Sequence, residues 1–305
     1  MVKAVDMDLN HSDPVSLPIE ILPPPFHRTG MFLLILSIVG GGSLLIAIFL
    51  SVHRLRTSHA ERLRLQNELE DARQMQTRLL PVSAPRIEGF DIAGFSRPAR
   101  EVGGDFFDYL SLGDSKTGIA LADASGKGLR GAMNAVLANG MLHEASKVEV
   151  SCGRILSSLN AALYPRIEKR MFTALSLAIL NQDDGGMNWS SAAQPAPLLK
   201  RNGEVSELEG DGGLPLGMTP ELTYSEHYFK LKSGDIMLLY TDGIIEAENA
   251  SGEIYGLERL KGFLSKIDPT MIADEIIQAI LGDVTGFTDG AEQYDDMTMV
   301  AVRKL

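Results

Sequence analysis

The chain has 305 residues, 45% of them apolar, which is enough to bury a sizeable core in one or two domains and argues against disorder throughout. Its 28 Lys and Arg against 40 Asp and Glu give a formal net charge of −12, which argues against a surface that captures nucleic acid by counterion release. A single cysteine, Cys152, excludes an intrachain disulfide framework and a cysteine-built zinc site. Only His143 and His227 lie beyond residue 80, so a metal in the globular part must be held by oxygen.

Residues 1–29 hold Pro14, Pro18 and the run Pro23-Pro24-Pro25 and read as a short extended tail, too small for a ligand-binding domain. Residues 30–52 carry no charge and are long enough to cross a hydrocarbon core of about 30 Å, predicting a single transmembrane helix in contact with membrane lipid. Arg54, Arg56, Arg62 and Arg64 follow the span, whereas Lys3 and Arg28 precede it among four acids. By the positive-inside rule the tail lies outside a bacterial inner membrane and the rest of the chain is cytoplasmic.

Residues 53–80 lack Gly and Pro and are rich in Arg, Glu, Gln and Leu, so they predict a continuous helical linker stopped by Pro81. Leu65, Leu69, Ala72 and Leu79 share one stripe. Two readings fit that stripe: a coiled-coil seam joining two chains as a homodimer, or an amphipathic helix lying on its own domain.

Residues 81–305 read as one α+β domain. Short apolar runs at 118–122, 173–180, 236–240 and 297–302 predict strands; helices are expected at 130–147 and 155–167, with two more between 257 and 281. The tail contributes −2 and the linker +2, so the whole −12 resides on this domain. Asp123 ends one strand run, Asp242 lies just past another, Asp295 and Asp296 directly precede a third, and Asp105 follows Gly103-Gly104. If those ends converge, four or five carboxylates share one cleft, and hard divalent cations are the economical way to neutralise them. Gly126-Lys127-Gly128 is not a Walker loop: no Ser or Thr follows the lysine, and Leu121 stands where the first glycine belongs.

The ordered set VGGDFFD (102–108), DASGKG (123–128), LPLGM (214–218), YTDG (240–243) and YDDMT (294–298), entered through QTRLLP (76–81), resembles the SpoIIE/RsbU-type bacterial serine/threonine phosphatases, relatives of the type-2C protein phosphatases. The resemblance covers about residues 69–305. It implies an α-β-β-α sandwich with two Mn²⁺ or Mg²⁺ ions between the sheets. Asp123 would bridge them, helped by the backbone carbonyl of Ala124; Asp105 would hold one metal, and Asp242 with Asp295 the other. Asp296 ranks behind these, as a supporting acid or a further ligand. Arg100, five residues before Asp105, occupies the place of a phosphate-binding arginine in type-2C relatives or is a surface ion-pair residue. Asp108 is a ligand-orienting acid or, the favoured reading, an ordinary strand-end acid.

The implied catalysis is attack on phosphorus by a metal-activated water, so neither Ser125 nor Cys152 needs a catalytic role. The implied substrate is a phosphorylated STAS-domain anti-anti-sigma factor in a partner-switching circuit. Where many relatives carry Ala-Gly-His-x-Pro, this chain has Ala192-Ala193-Gln194-Pro195, a departure that bears on substrate docking rather than on metal binding. The competing reading is an inactive membrane scaffold with a phosphatase fold; an inactive copy is expected to lose a metal acid, and none is missing.

Overall fold

A computed structural model describes residues 30–78, 80–113 and 115–305, together with positions 4, 5, 7, 11–13, 22 and 25. Most of the tail, and Leu79 of the linker stripe, therefore lie outside the described residues. Two compact units separate, Met1–Leu65 and Gln66–Leu305. Helix α1, Gly30–Thr77, begins in the first and ends in the second. Among the described residues it is the one helix long and apolar enough to cross a membrane.

In the second unit the strand runs expected from sequence lie within β3 (Lys116–Ala124), β4 (Thr173–Asn181), β9 (Ile236–Tyr240) and β10 (Met297–Lys304). The remaining strands are β1 (Phe90–Arg97), β2 (Asp105–Ser111), β5 (Gly186–Ala192), β6 (Leu198–Arg201), β7 (Glu204–Glu207) and β8 (His227–Lys230). They form two antiparallel sheets, ordered β1-β10-β9-β6-β7 and β2-β3-β4-β5-β8. Helices α2 (Leu129–Val148), α3 (Cys152–Leu163), α4 (Asp242–Ile245), α5 (Leu257–Lys266) and α6 (Ala273–Thr288) complete the unit.

Alternation along the strands builds three apolar layers. Phe107, Ile119, Leu121, Met237, Leu239 and Val300 point between the sheets. Their neighbours Phe106, Ala120 and Ala122 face α2 and α3, where Leu142, Leu156 and Leu159 cover them. On the other side Ile236, Leu238 and Met299 meet Leu260, Ile276 and Ile280 of α5 and α6. The result is an α-β-β-α sandwich. Ser151 caps α3 by accepting the Arg154 N–H, and Glu275 reaches back to the Ile272 N–H at the start of α6.

Candidate metal centre

The two sheets open at one end, where the acids collect. Asp105 begins β2 and is the direct register partner of Asp123 on β3. Both belong to the residue set that faces between the sheets, so alternation carries the carboxylates into the gap where the apolar filling stops. Asp105 is 7% exposed. Its carboxyl is held well above the usual range by burial, then by Asp123 and Asp296. Asp123 is pushed up to about 7 by burial, then by Asp242, Asp295, Asp296 and Glu246. Asp242 opens α4 and is also raised, by burial and then by Glu246 and Asp295. Asp295 is exposed, and its Oδ1 accepts the Asp296 N–H at 2.8 Å.

Asp296 does a different job. One of its oxygens accepts the Ala99 N–H at 2.7 Å, and the other accepts those of Gly104 at 2.6 Å and Asp105 at 3.3 Å. It clamps the loop that delivers Asp105. Gly104 lies so close to the Ala124 carbonyl that a Cβ would collide with its oxygen; only glycine leaves that oxygen room. Gly104 in turn accepts the Ala124 N–H at 3.0 Å.

Three contributors escaped the sequence reading. Thr241, fully buried, donates from Oγ1 to Asp105 Oδ2 at 2.8 Å and accepts the Thr298 N–H at 3.0 Å. Gln76, in the last turns of α1, donates to the Gly103 carbonyl at 2.6 Å and accepts the Gly103 N–H at 3.2 Å. Glu246, at the end of α4, adds negative field to Asp123 and Asp242. Thr241 stood within YTDG and Gln76 at the head of QTRLLP, but motif position alone does not reveal a partner far away in sequence. Leu69, Ala72 and Gln76 are the less exposed positions of their stripe, and at Gln76 that stripe meets its own domain.

Other singled-out residues lie elsewhere. Arg100 is exposed in the loop before Asp105. Asp108 faces α2, its Oδ2 accepting from Asn139 at 2.9 Å and bonded to His143 Nε2 at 2.8 Å. It is a buried, fully engaged acid rather than an ordinary strand end. Ser125 Oγ accepts the Phe172 N–H at 2.8 Å. Cys152 is buried, and burial pushes its thiol far up. Gln194 is buried, its side chain donating to the Ala174 carbonyl at 3.4 Å while Ala193 takes a φ of 65° to make the turn.

The carboxylates surround the opening without closing on one point. Among the described residues no three His, Cys, Asp or Glu side chains gather tightly enough to grip one ion. The donor chemistry still fits a hard cation. Every candidate ligand is an oxygen, and the burial, joined by mutual repulsion, that raises Asp105, Asp123 and Asp242 is what a bound cation would offset.

Comparison with known proteins bears on this arrangement. The model of the family described as Stage II sporulation protein E (SpoIIE) matches residues 113–305. The chain belongs to the SpoIIE family. It is similar to Protein IcfG of Synechocystis sp., 29% identical over 263 residues that cover 77% of this chain and 41% of IcfG. It is similar also to the phosphoserine phosphatase RsbU of Bacillus subtilis, 24% identical over 242 residues that cover 79% of this chain and 71% of RsbU. Among solved structures it resembles the SiaA-PP2C domain of Pseudomonas aeruginosa, with a TM-score of 0.71 at 22% identity, covering 80% of this chain and 98% of that domain. The sandwich of this SpoIIE-family chain has the fold of the PP2C phosphatase domains.

Proposed function

We propose that this SpoIIE-family chain is a metal-dependent serine/threonine protein phosphatase that hydrolyses phosphoserine or phosphothreonine on a cytoplasmic regulatory protein. The observation that carries it is the pairing of Asp105 with Asp123 at the open end of the sandwich, with Asp242 close enough to raise Asp123 further. Asp105, Asp123, Asp242, Asp295 and the Ala124 carbonyl would hold two divalent cations, Mn²⁺ or Mg²⁺. When bound, such a pair lowers the pKa of water and offsets charge on the phosphoryl oxygens. The chain's own residues do the positioning. Thr241 fixes the orientation of Asp105 by donating to it, Asp296 holds the loop bearing Asp105 by its backbone, and Gly104 keeps the Ala124 carbonyl free. Arg100, exposed on the same loop, would meet a phosphoryl group.

Residues 30–52 anchor the enzyme in the inner membrane with residues 1–29 outside. Residues 53–80 form the link to the catalytic domain, residues 81–305. Kinship with the phosphoserine phosphatase RsbU supports a phosphoserine substrate, and the substrate implied by the motif resemblance is a phosphorylated STAS-domain protein in a partner-switching pathway.

Replacing Asp242 by Asn is expected to abolish Mn²⁺-dependent hydrolysis of p-nitrophenyl phosphate and of a phosphoserine protein. Undiminished turnover would overturn the ligand assignment. The open spacing of the carboxylates is the one observation that favours an inactive scaffold. Calorimetric titration with Mn²⁺ decides between the two readings: the phosphatase takes up metal at millimolar concentration or below, and the scaffold does not.

A further inference from the structure

Beside the carboxylate cleft, the start of α2 and the loop before β4 enclose a groove of about 410 Å³. Its floor is apolar, formed by Leu129 and Met133 on α2 with Ile167 and Met171 from the loop. Leu129 and Met133 are 51% and 61% exposed and stand one helical turn apart, so they offer one continuous apolar stripe. The rim is cationic. Arg130 and Arg166 line it, and Lys169 and Arg170 follow exposed in the same loop. This cluster sits on a domain that carries the chain's whole charge of −12. The acid on the rim is Glu168, 4.0 Å from Arg130 in an exposed pair of the kind that holds little energy. Arg166 also donates to the Ala162 carbonyl at 2.8 Å, which steadies its stem.

Two further features point to an occupant. Asn134, also lining the groove and 5% exposed, donates through Nδ2 to the Phe172 carbonyl and to Thr173 Oγ1. Its buried Oδ1 has no hydrogen-bond partner among the described residues, and an acceptor left so is costly until a donor arrives. The groove is also stitched to the loop carrying Asp123 and Ala124: the Ser125 N–H donates to the Phe172 carbonyl at 2.9 Å, and Met171 lies against Gly126. A chain lying in the groove therefore places its adjoining residues at the carboxylate cleft.

We propose that this groove docks an acidic segment of the phosphorylated protein, a large apolar side chain entering the floor and Asp or Glu residues meeting the arginine rim; this rests on the phosphatase reading above. Charge decides the occupant. A second copy docking groove to groove about a two-fold axis would set Arg130 and Arg166 against their own equivalents, whereas an acidic segment meets them with opposite charge.

The test uses the full chain in detergent micelles with EDTA, so that binding is read without turnover. Fluorescence anisotropy compares a labelled serine peptide bearing glutamates and one leucine with the same peptide bearing lysines in place of the glutamates. The glutamate peptide is expected to bind about 10-fold or more tightly, Met133→Asp to weaken it by a similar factor, and Arg130→Glu with Arg166→Glu to invert the preference. Equal affinity of the wild type for both peptides, or an unchanged preference in the charge-reversed protein, overturns the proposal. So does a dimer that Met133→Asp dissociates while no peptide is preferred, since that assigns the groove to a second copy. Hydrolysis of p-nitrophenyl phosphate with Mn²⁺, measured in parallel, reads the phosphatase assignment separately: its absence with the peptide preference intact sinks that assignment and leaves the groove standing.

Discussion

Asp105 and Asp123 stand directly opposite each other across β2 and β3, two carboxylates in the register position where most strand pairs place apolar or opposite-charge partners. Like charges in such a pair destabilise a sheet. A slip of β2 by one residue against β3, which stays paired with β4, would turn Asp105 toward α2 and break up the pair, so the register of one hairpin determines whether these two acids meet.

Metal removal should make this repulsion measurable. Asp105 and Asp123 are both raised in the fold. A carboxyl shifted that way contributes stability fully present below its ordinary value of 3.8 and lost as pH rises through its folded value, about 7 for Asp123. In EDTA, urea midpoints of the wild type should fall relative to Asp123→Asn between about pH 4 and 8. Parallel midpoints for the two proteins across that range would contradict the assignment. Saturating Mn²⁺ should remove the fall, because metal binds the ionised carboxylates.

Gln76 ties α1 to the metal loop through both polar atoms of its amide. Gln76→Ala frees Gly103, and the midpoint for activation by Mn²⁺ should rise by roughly 10–100-fold, the cost typical of residues that orient ligands. Maximal turnover at saturating metal should change less. A midpoint equal to that of the wild type would show the contact to be incidental.

Thr241 acts from the opposite sheet. Thr241→Val keeps the shape and deletes the donor to Asp105, so Mn²⁺ affinity by calorimetry should drop by about 10-fold or more. Thr241→Ser restores the hydroxyl and should recover most of it. Loss in both variants would point to packing instead of the hydrogen bond.

Leu121 lies fully buried between the sheets, two residues before Asp123. Leu121→Ala should cost about 2–5 kcal/mol in urea unfolding. The folded fraction should still take up Mn²⁺, because the strand register that places Asp123 is set by the backbone pairing with β2 and β4.

Much of this was legible in the chain itself. Runs such as 118–122 and 236–240 pair a short apolar stretch with an acid just beyond its end, and apolar runs and turn chemistry are local properties that survive without a structure. The ordered motifs from Val102 to Thr298 were enough to indicate the family. What tertiary structure alone decided were the contacts between residues far apart in sequence: Thr241 on Asp105, Asp296 on the backbone of Ala99 and Gly104, Gln76 on Gly103. No local pattern encodes these, because each depends on which strand lies beside which and on how far one sheet is offset from the other. The role of Asp296 shows the difference. Sequence ranked it behind Asp295, as a supporting acid or a further ligand, but only the fold shows what it touches: three backbone N–H groups, where its charge holds a loop.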